Sequence, residues 1–320
     1  FKSQFMKDLL YSWSQIQKMC EIEKAIQREP VKIVDFTRGG RPLKASEVKI
    51  TFSTETFNRK CRPEVEGFIE NAWIAKLLRN PNLFNGSKFR IAAQRTRFDG
   101  LEADFGITWY KDLMGTNFSK DIEEIKKMGV ADFSDPLAYI ANPLGVGALI
   151  ITSDRKCIFL KRSSWTGENP NYLDRPGGHA EPENARLREN LSIVEELDNT
   201  AVRTEIFDSV VQEVIDEVNI PRGELSEAEL IGSVLLSEIG DRPNWEFLIR
   251  CQLTSEEVKR KYLQGSQAEA DESTDIVFLD IDDIVLGKLP SMWDSLTLAS
   301  KGCLYLYYKL NYQTTASKTV

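Results

Sequence analysis

The sequence predicts a mixed α/β protein: an α/β/α layered domain with a mixed sheet, preceded by a smaller α+β part. Two observations carry this. Alternating, β-branched runs such as VKIVDFTR and VGALIITS are interleaved with amphipathic stretches such as PEVEGFIENAWIAKLLRN. The 320 residues are 42% hydrophobic and 28% charged, enough for a packed core in one large domain or two ordinary ones.

The elements follow in order. Residues 1–30 form an N-terminal extension, whose Gln/Lys/Glu-rich stretch 1–29 reads as a helix. The chain opens on Phe1, so its natural start is expected upstream or at Met6, and FKSQFMKDLLYSW lacks the apolar centre of a signal peptide. Residues 31–142 make the α+β part. Strands 31–38 and 47–54 flank a Gly-Gly-Arg-Pro turn zone, and Pro63 opens a helix over 63–80. KFRIAAQRTRF and LEADFGITWY form a hairpin around Asp99-Gly100. Ser119 caps the next helix, which Gly129 stops. After a hinge near Asn142-Pro143, residues 143–312 make the second domain, and 313–320 a tail. Here VGALIITS and KCIFLKRS form a hairpin around Asp154-Arg155, then a loop leads to RPGGHAEPE. A helix containing VVQEVIDEV ends at Asn219 and Pro221. Two strands flank Gly240, and Ser255 caps EEVKRKYLQG. DIVFLDI is the last strand and MWDSLTLASKGCLYLYYKL the last helix.

Composition narrows the function. A net charge of −8 argues against a nucleic-acid binder. No apolar run reaches the roughly 18 residues of a membrane span. Five cysteines, an odd number without a CxxC pair, indicate neither a disulfide framework nor a zinc site, so reduced thiols in a cytoplasmic protein are expected. Nothing in the sequence sets an oligomeric state.

The most informative stretch is VVQEVIDEVNIP, residues 210–221. Val210, Val211, Val214, Ile215 and Val218 keep helical spacing, while Glu213, Asp216 and Glu217 crowd the other side with no Lys or Arg between them. A solvated face usually mixes signs, because like charges one turn apart repel. A hard divalent cation such as Mg²⁺ takes carboxylate oxygens and removes that repulsion.

With RPGGHAEPE upstream, this helix resembles the Nudix hydrolase signature GX5EX7REUXEEXGU, where U is a bulky aliphatic residue. Gln212 stands where Arg is usual, and Glu213, Asp216 and Glu217 stand for the three acids. Val214 and Ile220 fill aliphatic positions, Asn219 replaces Gly, and Gly178 fits the leading Gly. Asn184 stands where the first Glu is expected, and the spacer to Gln212 is longer than the signature allows. FGITWYKDLMGTNF, ANPLGVGALI, RPGGHAEPE, SVVQEVIDEVNIP and DESTDIVFLD resemble the uridine diphosphate glucose pyrophosphatase branch, whose box carries the same long insertion. The resemblance covers roughly residues 31–310.

It implies a Nudix α/β/α sandwich and Mg²⁺-dependent hydrolysis of UDP-glucose and UDP-galactose to UMP and hexose 1-phosphate. It implies metal ligands at Glu213 and Glu217, with Asp216 helping through water, and a general base among Glu181, Glu213 and Glu217. Gly177 and Gly178 let backbone approach the phosphates. His179, the one histidine of the chain, and Glu181 lie at the substrate, and Arg162 has the planar fork that suits a diphosphate. Asp174 suits a uracil NH or ribose hydroxyl. The branch also implies uracil stacking on Phe84 and Tyr110, and substrate contacts at Gly167 and Ser273. The alternatives are a Nudix hydrolase of another nucleoside diphosphate derivative such as ADP-ribose, and a catalytically silent nucleotide-binding module.

Overall fold

The computed structural model describes residues 20–316; of the N-terminal helix read over 1–29, residues 1–19 lie outside them, and α1 (Glu21–Ile26) is its described part. Eight strands form one mixed sheet. Its main path runs β1 (Val31–Asp35), β9 (Glu229–Leu236), β10 (Arg242–Arg250), β5 (Gly145–Ile151), β6 (Lys156–Arg162), β11 (Ser273–Asp280). A second sheet of three strands has the order β2 (Val48–Phe52), β4 (Gly100–Trp109), β3 (Ser87–Arg97). The strands flanking the Gly-Gly-Arg-Pro zone therefore part company. β1 pairs antiparallel with β9 in the large sheet, and β2 pairs parallel with β4 in the small one.

α7 (Asn199–Val218) packs between the two sheets. Its buried row Val202, Ile206, Val210, Val214 and Val218 shares one core with Phe89 and Phe105 of the small sheet and Trp245 and Phe247 of the large one. The Trp245 indole also donates to Gln94 across the sheets at 2.9 Å. The opposite face of the large sheet is covered by α10 (Leu298–Ala316), α9 (Ile281–Val285) and α1, with Cys303, Leu304, Leu306 and Ile22 buried there. Helix, sheet and helix thus stack as the alternating pattern predicts.

β5 and β6 leave their turn as a hairpin, paired at Ile151 and Cys157, and then diverge. Two short strands fill the gap: β7 (Leu173–Asp174) pairs with β6, and β8 (Gly177–Gly178) pairs with β5. This wedge carries the Gly-Gly turn into the molecule beneath α7.

Several helix boundaries differ from expectation. α5 (Ile122–Phe133) runs through Gly129 and stops at Ser134, which takes the left-handed conformation at φ 56°. Ser119 supports the turn before it by accepting from the Asp121 amide. α8 (Ser255–Tyr262) is capped by Thr254, not Ser255, in a box closed with Glu257. α10 begins at Leu298, after a short turn at Trp293–Ser295. α7 starts well before the acids, where Asp198 accepts from the Ala201 amide at 2.7 Å. It ends at Asn219 as predicted, at φ 65°.

Candidate active site

α7 delivers the first carboxylates. Glu213 and Glu217 lie one turn apart, edging the apolar row, so both point toward the wedge rather than outward. Glu217 is buried, and its Oε2 accepts from the Gly177 amide at 2.9 Å. A Cβ at Gly178 would stand 2.1 Å from Glu213 Oε1, and one at Gly177 2.3 Å from the Val146 carbonyl. The two glycines are thus required by the closeness of backbone to acids. Asp216 turns aside: both its oxygens accept from the Gln212 side-chain amide at 2.9 Å.

A loop before β11 supplies two further acids. Its Glu269 amide donates to the Asp216 carbonyl at 2.9 Å, which pins the loop to the end of α7. One carboxylate oxygen each from Glu217, Glu269 and Glu272 lies within 4.8 Å of the others. Burial, and then the charges of Glu269 and Glu272, push Glu213 up to about 8. Burial and the neighbouring Glu213 push Glu217 well above the ordinary carboxylate range. Crowded acids of this kind are relieved by protons or by a cation. An all-oxygen donor set suits a hard divalent ion.

The cleft in front of these acids has a volume of about 1480 Å³. Glu181 lines it and is ion-paired to Lys88 of β3, so the small sheet reaches into the site. His179 lines it with Nε2 buried and without a hydrogen bond. Burial, then the positive charges of Arg242 and Lys88, hold its imidazole down to about 3, so it is neutral. Arg162 Nε donates to the Glu168 carbonyl at 3.0 Å, and its Nη1 lies 3.8 Å from Asp174 Oδ2. Asp174 Oδ1 accepts from Thr297 and Ser300 hydroxyls and from Arg175 at 2.7, 2.8 and 3.0 Å. Arg175 is itself held by a buried fork to Glu246 at 2.8 and 2.9 Å.

Gly167 and Tyr110 also line the cleft. Tyr110 packs edge-to-face on Trp73 with centroids 6.2 Å apart, and its amide donates to the Gly86 carbonyl at 3.0 Å. That bond brings the Phe84 loop beside Tyr110, but Phe84 itself is 81% exposed and outside the cleft lining. Ser273 also lies outside the lining; its hydroxyl bonds the Tyr262 hydroxyl at 2.8 Å, opposite Arg162 in the ladder.

No family model matches the chain. It is 34% identical to uridine diphosphate glucose pyrophosphatase NUDT22 of Bos taurus, covering 87% of this chain and 96% of that protein. It is 36% identical to the protein of that name from Mus musculus, over 78% of this chain and 82% of the relative. It is 33% identical to Nudix hydrolase 9 of Arabidopsis thaliana, over 76% and 81%. The chain belongs to the Nudix hydrolase family.

Within this Nudix hydrolase the overlong spacer of the box is ordered and helical. It consists of α6 (Pro182–Arg188), a short turn at Val194–Glu196 and the first turns of α7. Arg188 of α6 is ion-paired to the buried Glu205 of α7, which ties the insertion to the acid helix. Glu183 pairs locally with Arg186 at 2.7 Å, so of the two acids in AEPE it is Glu181 that turns to the cleft. Sequence reasoning missed Glu269, Glu272, Lys88, Glu168 and Arg242. The acid-rich AEADES ahead of the last strand was a signal for the first two.

Proposed function

We propose that the protein hydrolyses the pyrophosphate bond of UDP-sugars, UDP-glucose and UDP-galactose among them, to UMP and hexose 1-phosphate, with Mg²⁺ as cofactor. The observation that carries this reading is the gathering of Glu217, Glu269 and Glu272, with Glu213 and the Gly177-Gly178 turn beside them, at a cleft that Lys88 and Arg162 also line. The NUDT22 relatives, named as uridine diphosphate glucose pyrophosphatases, supply the substrate class.

The donor set fits the ion: Glu217, Glu269 and Glu272 would hold it, with Glu213 beside them and Asp216 acting through water. There it would supply Lewis-acid charge to the phosphoryl oxygens. Arg162 offers its fork to the diphosphate. Neutral His179 offers one N–H and one lone pair at the phosphate or a hexose hydroxyl. The oxygen of water attacks one phosphorus, the bond from that phosphorus to the bridging oxygen breaks, and the bridging oxygen leaves on the other phosphate. Glu181 stands outside the crowded cluster, ion-paired to Lys88, and is the carboxylate we assign to accept the proton. Tyr110 gives the base a flat apolar face, and Asp174 keeps Oδ2 for a polar contact at the Arg162 side. All five cysteines are free, and no helix among the described residues is long and apolar enough to cross a membrane; the free thiols support a reducing compartment.

The test is a nucleotide-sugar panel with Mg²⁺ in ¹⁸O-labelled water, with products identified by mass. UMP and hexose 1-phosphate, one of them labelled, are expected. Turnover of ADP-ribose with none of UDP-sugars would overturn the substrate assignment.

A further inference from the structure

Beneath the cleft wall lies a buried chain of charges that the hydrolytic groups do not include. Arg175 stands between the short strands β7 and β8, and its side chain lies across Gly147 of β5. A Cβ on Gly147 would meet the Arg175 Nε and Cζ at 2.3 Å, so the glycine leaves the slot that admits the guanidinium. Glu246 of β10, opposite Gly147 in the β5–β10 register, is 0% exposed and takes the Arg175 fork on both oxygens. The third nitrogen, Nη1, donates to Asp174 Oδ1 at 3.0 Å.

The effect on Asp174 is one-sided. Its Oδ1 also accepts from the hydroxyls of Thr297 and Ser300 at 2.7 and 2.8 Å. Ser300 is fixed in turn, because its hydroxyl accepts from the Arg175 amide at 2.9 Å. All three donors meet one oxygen. Oδ2 stands apart from them, 3.8 Å from Arg162 Nη1. At that separation the two attract but are not hydrogen-bonded, which takes about 2.7–2.9 Å between such groups. From core to cleft the side chains thus alternate in sign: Glu246, Arg175, Asp174, Arg162. A buried ion pair contributes little stability over apolar side chains of similar size. What it supplies beneath this cleft is a fixed direction and a fixed charge.

We propose that Arg175, backed by Glu246, is a positioning residue for the ligand: it holds Asp174 so that Arg162 keeps its fork open to the diphosphate. This rests on the reading above that Arg162 meets the diphosphate. Among the described residues, Asp174 is ion-paired with Arg175 and Arg162 alone. Without Arg175, Arg162 is the cation left to it. A closure of about 1 Å would join the two in a charge-assisted hydrogen bond. A guanidinium spent on Asp174 offers less to a phosphoryl oxygen. The buried pair therefore sets affinity for the anionic ligand rather than the metal chemistry, whose acids come from α7 and the loop before β11.

The test uses Arg175→Met/Glu246→Leu, which replaces the pair by apolar side chains and strands no charge in the core. Asp174→Asn is made alone and in that background. Thermal unfolding, UDP binding by calorimetry, and KM and kcat on UDP-glucose are measured on the full chain. Tm of the double variant is expected no more than about 4 °C below wild type. Its Kd for UDP should rise about tenfold or more, and KM with it, while kcat falls less than about threefold. Asp174→Asn should weaken UDP binding in wild type but strengthen it in the double variant, where the aspartate is what holds Arg162. Losses in the same direction in both backgrounds mark a merely structural role and overturn the proposal. An unchanged UDP affinity in the double variant overturns it too. If the double variant fails to fold, Arg175→Lys takes its place, since a lysine keeps the charge but cannot fork onto Glu246 and reach Asp174 together. UDP binding about threefold weaker is then expected, and unchanged binding overturns the proposal. UDP-glucose hydrolysis without the reversal of sign leaves the hydrolysis reading intact and removes this one. The reversal in a protein that cleaves no UDP-sugar keeps the positioning role and removes the hydrolysis reading.

Discussion

Gly178→Ala separates the chemistry of the site from its architecture. The new methyl would sit 2.1 Å from Glu213 Oε1 and 2.6 Å from its carboxyl carbon, far inside contact distance. The atoms it meets are the end of a flexible side chain, so the carboxylate moves rather than the backbone. Clearing the methyl takes a displacement of more than an ångström, and misplacement of about 1 Å at a reacting centre costs on the order of 10²-fold in rate. The fold loses little, and Tm is expected within about 2 °C of wild type. Gly177→Ala is the control with the opposite signature. Its Cβ meets the Val146 carbonyl at 2.3 Å and the Gly147 Cα at 2.8 Å, both backbone. Overpacking against backbone costs about 1–3 kcal/mol, which lowers Tm by roughly 1.5–4.5 °C in a chain of this size. The assay is kcat on UDP-glucose at saturating Mg²⁺ beside thermal unfolding of the same samples. A Gly178→Ala enzyme retaining more than about a tenth of wild-type kcat would refute the claim that the turn and Glu213 are fitted to each other.

Other outcomes follow from the same geometry. In EDTA, Tm should fall as pH rises from about 4.5 toward 8. Glu213 has its folded pKa raised from 4.5 to about 8, so over that interval the folded protein keeps a proton that the unfolded chain has released; Mg²⁺ should flatten the slope, and a level EDTA profile speaks against the crowded cluster. The imidazole resonances of untagged protein come from His179 alone and should not titrate between pH 5 and 8, whereas a midpoint near 6.5 would contradict its desolvated site. Lys88→Met should lower kcat at least about tenfold with little change in Tm, since it releases the Glu181 carboxylate while an apolar chain of similar length keeps the packing of the stem; unchanged kcat would exclude Lys88 from the site. Phe84→Ala should leave Tm unchanged and UMP affinity within about twofold, because the ring is 81% exposed and outside the cleft lining; a tenfold loss of affinity would instead bring Phe84 onto the base.

Local pattern made half of the site legible. The spacing of Val210, Val214 and Val218 fixes which side of α7 is buried, and the remaining positions must hold the acids. Spacing also groups Glu213 with Glu217, because residues four apart lie one above the other. It does not say that Asp216 will turn to Gln212, since both arrangements obey the same periodicity. The Gly-Gly turn was legible because only glycine permits such an approach. Lys88, Arg242, Glu269 and Glu272 were not, because each reaches the cleft from another element through tertiary packing. Lys88 reads as one more exposed residue of an alternating strand. Capping signals were right in kind and off by a step: Thr254 and Ser255 are both good caps, and the reciprocal bonds with Glu257 choose the first.

The pairing of β1 with β9 bears on how such a chain could be assembled or divided. The large sheet takes its edge strand from residues 31–35, the chain then leaves to build the small sheet, and it returns at Gly145. Topologically the small sheet is an insertion within the larger fold rather than a bead placed before it. A cut near Asn142-Pro143 would therefore strip β1 from β9 and expose an unprotected sheet edge, a surface prone to pair with other chains. It would also remove Lys88 from Glu181. Modules that combine by end-to-end fusion can be swapped; one threaded through its neighbour in this way can only change together with it.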